Sequence, residues 1–466
     1  MSHFLFPSQK SLQSLIVVLT GWLLFGGVVT PQNACGAWRL ASFSVDVTIP
    51  LGHRCMGVLP TKSQKVADRL YAHGFVLLGP EKPIVQCAVD WCEIRNAAYD
   101  DWREALAQAA QTSRERVLVS SLHQHDAPVT DRDAAQLLNE VGLQNELYDE
   151  AFHVATIKRV AQALKDALAN AQPVTHIGLG EAEVREIASN RRVVKDGQVT
   201  FHRGSRSGAN DFYREAPVGL IDPMLKTISF WNGEKPLLAL HSYATHPMSY
   251  YGRGEVSADF VGLARARRQR DDFSVKQIYV SGCSGDVTAG KFNDGSPDSR
   301  VALTERLYQA MVAAWKATKR VPLQTVTFRH AELQLPYYSH DVVSQKRLAA
   351  RLADPKVSTE QRILAAMGLA SRQRVAAGQP IDLCCLDLGS AQIVLFPGES
   401  FIGYQLMAQQ MRPDSFVMSI GYGECWPGYI PTQSAFQDNF HDSWLWVDRG
   451  SEARIRTALK SILASK

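Results

Sequence analysis

The stretch Arg116-Val-Leu-Val-Ser-Ser-Leu-His-Gln-His-Asp-Ala-Pro128 begins as an apolar run with strand character and ends in two histidines. In an extended strand, residues two apart leave the same face, about 6 to 7 Å from each other. Of His123 and His125, one imidazole can therefore bind a metal while the other reaches whatever the metal holds. Asp126 and Pro128 break the strand and put the pair beside a loop, where chemistry usually sits. Two histidines with no joint role are the simpler reading, and the residues downstream decide between the two.

Strands and helices interleave on both sides of this stretch. Phe43 to Pro50 alternates as a half-buried strand, and Gly74 to Leu78 and Ile84 to Cys92 follow it, joined by a Gly- and Pro-rich turn. Helix is expected over Ala97 to Gln111. Glu146 to Ala169 is the clearest amphipathic helix, with Ile157, Val160, Leu164 and Leu168 in its apolar stripe and His153 as a flank residue without a role. The polar, Gly-rich segment from Ile187 to about Gly208 is too long for a mere connection and reads as a loop over a site. Met224 to Trp231 and Lys235 to Thr245 pair across Asn232-Gly233, and the second strand runs into His246.

Gln277 to Ser281 is a short strand before the Gly-rich bend from Gly282 to Thr288. Ser296 and Pro297 open a helix that continues over Val301 to Lys316. A strand over Val326 to Leu335 precedes a charged, outer helical hairpin from about Val342 to Ala377. Asp382 to Leu388 and Ala391 to Phe396 form a hairpin ending in Pro397-Gly398-Glu399, then come a helix over Phe401 to Met411 and a strand over Ser415 to Ile420. This interleaving predicts one large α/β domain over residues 38–466, with a mixed sheet flanked by helices.

The formal charge is only +4 across 466 residues, which gives no reason to expect a nucleic-acid partner. Residues 1–37 read as an export leader: Lys10 precedes the apolar stretch Leu15 to Val29, and small residues cluster at Ala34 to Ala37. That stretch is shorter than the about 20 residues a membrane span needs. An uncleaved N-terminal anchor is the alternative. Of the eight cysteines none forms a Cys-x-x-Cys pair, and losing Cys35 with the leader would leave an odd number, so no disulfide framework is expected.

Four sheet-to-loop exits carry side chains able to hold a metal: His123 and His125, His246, Glu399, and Tyr429. Zinc accepts imidazole nitrogen and carboxylate oxygen, and a catalytic site keeps one position open for water. Each residue also has a structural alternative. Glu399 could serve the N-terminus of the helix after it, Tyr429 could be a buried aromatic, and His241 lies on the face opposite His246 in a regular strand.

Six short motifs in order carry a resemblance. His123-Gln-His-Asp-Ala-Pro128, Asn190-Arg191, His246 eleven residues before Ser257-Ala-Asp-Phe, Gly285-Asp-Val-Thr288, Pro397-Gly-Glu399 and Gly428-Tyr429 follow the motif series of the neutral/alkaline (non-lysosomal) ceramidases. The chain resembles their N-terminal catalytic domain over roughly residues 43 to 440. The resemblance implies one zinc ion on His123, His246, Glu399 and Tyr429. It also implies that His125 polarises the substrate carbonyl or handles protons, and that Arg191 positions the substrate. The activity implied is hydrolysis of an N-acyl amide, ceramide-like or related, in a small molecule or a lipid; a lipid would bring peripheral contact with a membrane.

Departures from the family pattern limit what carries over. Where the family has a serine assigned as nucleophile, this chain has Thr288, more crowded at oxygen and with no evident base, which favours metal-activated water. A further family tyrosine that aids catalysis would fall near His441. The family's C-terminal immunoglobulin-like domain has no counterpart in the 37 residues after Tyr429. A catalytically silent, ligand-binding or structural relative is therefore the second reading, while the substrate and oligomeric state stay open.

Overall fold

The computed structural model describes residues 38–464 apart from residues 197, 201 and 202, so the expected leader lies outside the described residues. The strands divide among three principal sheets. The first runs, in spatial order, Val117–Ser121, Ile84–Val89, Tyr71–Leu78, Trp38–Asp46 and Gln172–Val174. The second runs Lys276–Ser281, Lys235–Tyr243, Met224–Asn232, His176–Glu183 and Lys319–Pro322. The third runs Thr327–Leu333, Ile381–Asp387, Ala391–Leu395 and Phe416–Ile420.

The expected mixed α/β architecture is present, with its strands in several sheets instead of one. Twist accumulates strand by strand, and open sheets beyond about ten strands curl or split. Splitting lets the inner faces meet. Leu40, Phe75 and Leu118 of the first sheet, Ile228, Leu240 and Ile278 of the second, and Leu386, Ile393 and Met418 of the third share one buried cluster. Each such side chain contributes about 1.5–3 kcal/mol by leaving water.

Helices cover the outer faces. Asn96–Ala110 and Glu150–Leu168 pack together on the first sheet, and Asp259–Asp271 and Pro297–Lys316 do so on the second. The Ser296 hydroxyl accepts from the Ser299 N–H at 3.2 Å, which is the cap expected there. Two local expectations are overturned. His153 is buried against Trp91 and Tyr148, because the helix that carries it is covered on that side as well. The helix Thr359–Ala376 is not an outer element, since Ile363 to Ser371 are buried along it. Its small residues Ala365, Ala366, Gly368 and Ala370 let neighbours close in around it, with Trp446 packed over Gly368.

What positions the site is a feature common to the three sheets. In each, one pair of neighbours is parallel: Ile84–Val89 with Val117–Ser121, Lys235–Tyr243 with Lys276–Ser281, and Ala391–Leu395 with Phe416–Ile420. Parallel neighbours end on the same side, so the strand ends emerge in pairs. The pairs are tied together: Ser121 N–H donates to Tyr422 O at 2.9 Å, Gly421 N–H to Ser281 O at 2.8 Å, and the Ser281 hydroxyl to Leu122 O at 2.8 Å. In α/β folds this carboxyl-terminal side of the strands is where ligands bind.

Candidate metal centre and cleft

His123 lies two residues past the end of its strand and takes a positive φ of 71°. The sequence pattern suggests that both histidines leave one face of an extended strand; the backbone instead turns left-handed at His123, a conformation that costs a non-glycine residue about 1 kcal/mol or more. The turn is held by the His123 N–H, which donates to Trp91 O at 2.9 Å. It brings the His123 and His125 rings edge to face at 5.3 Å, so the pair meets by a different route from the one expected.

Each of two histidines has one ring nitrogen fixed by the main chain. His123 Nδ1 donates to Cys92 O at 3.0 Å, and His246 Nδ1 donates to Ser284 O at 2.6 Å, with Val287 O at 3.1 Å. A carbonyl only accepts, so Nδ1 carries a proton, and Nε2 offers its lone pair whenever the ring is neutral. Those lone pairs meet one carboxylate: Glu399 Oε2 lies 2.9 Å from His246 Nε2 and 3.4 Å from His123 Nε2. Backbone carbonyls holding the far nitrogen are the usual support of metal-binding histidines. Tyr422 stacks on the His123 ring at 4.2 Å, and its hydroxyl shares a 2.7 Å hydrogen bond with the Ser284 hydroxyl.

Glu399 and Tyr429 are register partners in a short parallel pair, Glu399–Ser400 with Tyr429–Ile430. Two glycines make that pairing possible. At Gly428, where φ is 60°, a Cβ would lie 1.9 Å from Trp444 O; at Gly285 it would lie 2.1 Å from Glu399 O. The glycines in these motifs therefore allow main chains to approach closely beside the cluster.

A carboxylate and two ring nitrogens turned toward one another form a group that could hold a cation. Burial alone would raise the pKa of Glu399, but His123 and then His246 reverse this and hold its carboxyl well below the usual range. Burial opposes a charge on His123, yet the Glu399 carboxylate outweighs it and keeps that pKa above its ordinary value. For His246, burial and the Arg191 guanidinium win, pushing it down to about 4. Two imidazoles and a carboxylate, all buried, are the donor types zinc accepts.

The cluster opens into a cleft of about 480 Å³ that His125, Arg191 and Tyr429 also border. His125 is buried, and neither ring nitrogen has a hydrogen-bond partner. Burial, and then His123 and His246, hold its pKa well below the ordinary value, so the ring is neutral at pH 7. Arg191 donates to the Tyr429 hydroxyl at 2.7 Å and is itself anchored by its N–H to Asp286 O. Thr288 bridges His246 through the main chain, but it is fully buried, its hydroxyl has no partner, and it does not border the cleft.

Other motif residues turn out to support the cleft. Asp286 accepts from Ile402 N–H at 2.7 Å and from the Asn190 amide at 2.9 Å, pinning the loop that carries Arg191. Asp259 accepts from the Ser249 hydroxyl at 2.6 Å and so fixes the turn that lays Tyr251 against His125 at 4.8 Å. Cys92, Tyr251, Tyr422 and Trp444 also line or brace the site, and sequence reasoning does not find them. No spacing rule links them to the histidines, since each arrives from a different part of the chain. The long polar segment after Ile187 does lie over a site, as expected, through Arg191, Arg203 and Ser205. All seven described cysteines are free and buried, in keeping with the absence of a disulfide framework.

No protein-family model matches this chain, and no curated protein matches it in sequence. Solved structures do match. A neutral ceramidase from Pseudomonas aeruginosa superposes with a TM-score of 0.68 at 15% identity, covering 92% of this chain and 74% of that one. A ceramidase complexed with C2 aligns with the same score and identity, over 75% of its length. At this identity the likeness is one of fold, and the resemblance read from the ordered motifs holds at that level.

Proposed function

We propose that the cleft is the active site of an exported, zinc-dependent amidohydrolase that cleaves the N-acyl bond of a ceramide-like or related substrate. The observation that carries the proposal is the convergence of two carbonyl-anchored imidazoles and one carboxylate, with an unpartnered third imidazole beside them. His123, His246 and Glu399 would hold the ion, with Tyr429 as the fourth ligand. Zinc held there would polarise the scissile carbonyl and lower the pKa of water to about 7.

The remaining work falls to this chain's own groups. His125 is neutral and keeps an N–H for the carbonyl oxygen as it gains charge, the role of an oxyanion donor. Arg191 sets the Tyr429 hydroxyl and leaves its own Nε without a partner, available to position the substrate. Met56, Val58, Met248 and Trp444 give the cleft an apolar wall suited to an acyl chain. Water adds to the acyl carbon, the C–N bond breaks and the amine leaves with a proton. On this reading Thr288 takes no part in attack, which is supported by its buried hydroxyl and its absence from the cleft lining.

The direct test offers the zinc-loaded protein a panel of N-acyl sphingoid bases and simpler N-acyl amines, with fatty-acid release followed by mass spectrometry. Release that stops on chelation and returns with zinc is expected. Full zinc occupancy with no release from any member would favour the silent, ligand-binding reading. The fold likeness to ceramidases supports a lipid amide as the first substrate to try. No described helix is long and apolar enough to cross a membrane.

A further inference from the structure

Two groups face the cleft without belonging to the metal set described above. Cys92 Sγ lies 4.0 Å from His123 Nδ1. Cys92 Sγ, one ring nitrogen of His123 and one of His125 all lie within 4.8 Å of one another. His125 is only 6% exposed, and both its nitrogens lack a partner. Among the cleft-lining residues Cys92 is the single thiol.

We propose that Cys92 and His125, beside the His123 ring, form a second cation position, distinct from the one bounded by Glu399 and His246 and selective for a soft divalent ion. Thiolate sulfur selects thiophilic ions such as cadmium, mercury or excess zinc, whereas the first position offers only nitrogen and oxygen. On binding, the Cys92 S–H bond breaks, its electron pair forms the sulfur–metal bond and the proton leaves to water. His125 supplies a ring lone pair that no protein group occupies. The ligands are Cys92 Sγ and a His125 nitrogen; the His123 ring lies between the two positions, with Nδ1 donating to Cys92 O and Nε2 turned to Glu399. Filling the second also withdraws His125 from any substrate, so on the amidohydrolase reading a soft cation is an inhibitor. Binding itself does not depend on that reading.

The test uses the full, zinc-loaded chain titrated with cadmium, read by the ultraviolet thiolate-to-cadmium charge-transfer band. Cadmium in the first position has no sulfur ligand and gives no such band, so failure of the zinc assignment and failure of this proposal look different. The expected result is a band that saturates at one equivalent, is absent in Cys92→Ser, and needs at least about tenfold more cadmium in His125→Ala. Cys425→Ser is the control, since that sulfur contacts Gly423 O and does not border the cleft; it keeps the band. No band in the native chain, an undiminished band in Cys92→Ser, or an unchanged midpoint in His125→Ala each overturns the proposal. If Cys92→Ser fails to fold, the His125→Ala midpoint decides.

Discussion

Two loops leave the ends of parallel-paired strands, Leu122 to Pro128 and Gly282 to Thr288, and each carries polar residues that read as chemistry. They do opposite jobs. In the first loop His123 and His125 face the cleft, and His125 has no hydrogen-bond partner at all. In the second the main chain and Asp286 are fully engaged: Ser284 and Val287 carbonyls hold His246, and Asp286 binds Ile402 and Asn190. A polar group whose bonds are all spent on the protein is scaffold, and one that borders the cleft without partners waits for a ligand; the Thr288 hydroxyl of the second loop is unpartnered too, but it does not border the cleft. Substitutions in the two loops should therefore fail in different ways.

The largest effect belongs to the histidine that the second loop holds. His246→Ala removes a ligand and should empty the metal site, leaving less than a tenth of the zinc by elemental analysis. Several kcal/mol of lost charge stabilisation corresponds to about a thousandfold or more in turnover. An enzyme that stays fully metallated would break the ligand assignment, for His246 and equally for His123. Next in size is His125→Ala, which should keep its zinc while kcat falls about 100- to 1,000-fold, the usual loss for one oxyanion donor. Zinc lost along with activity would mean that the roles of His123 and His125 are exchanged.

Part of this contrast is legible in the amino-acid sequence alone. The strand before His123, the hairpin ending at Glu399 and the helix capped by Ser296 all follow local periodicity and turn chemistry, and they stand where expected. The proposed ligand types are legible in part, because His123, His246 and Glu399 each sit shortly after an apolar run, whereas Tyr429 follows a Gly- and Pro-containing loop and enters through the resemblance. The rest is non-local. The left-handed turn at His123 depends on Trp91, 32 residues away in the chain, and Tyr422 reaches the His123 ring from another sheet. The number of sheets escapes for the same reason: alternation reports which face of a strand is buried, not which sheet the strand joins. The charged ends of Thr359–Ala376 hide its burial.

Asp286 sharpens the comparison from the scaffold side. Asp286→Ala leaves the Ile402 N–H and the Asn190 amide without their acceptor, and each unsatisfied buried group costs about 1–3 kcal/mol. Thermal unfolding should move down clearly while zinc content holds. Turnover should fall less than in His125→Ala, through the loosened Arg191 loop. Zinc loss without a change in stability would place Asp286 among the metal's supports instead.

Thr288→Ala should have the smallest effect, and it separates two chemistries. The Thr288 hydroxyl is buried, without a partner, and away from the cleft, so removing it sacrifices no hydrogen bond. Deleting an unsatisfied hydroxyl recovers part of its desolvation penalty, while the lost methyl costs about 0.8 kcal/mol of burial, so the two nearly cancel. Stability should shift by less than about 1 kcal/mol, and kcat should stay within about threefold of the native value, since small changes in packing move rates by a fraction of a kcal/mol. The main chain of Thr288 still pairs with Ser189, and alanine preserves that pairing. A covalent mechanism through this residue predicts the reverse, a folded and metallated variant with no turnover. That outcome would require the buried hydroxyl to swing into the cleft, and would turn the second loop from scaffold into chemistry.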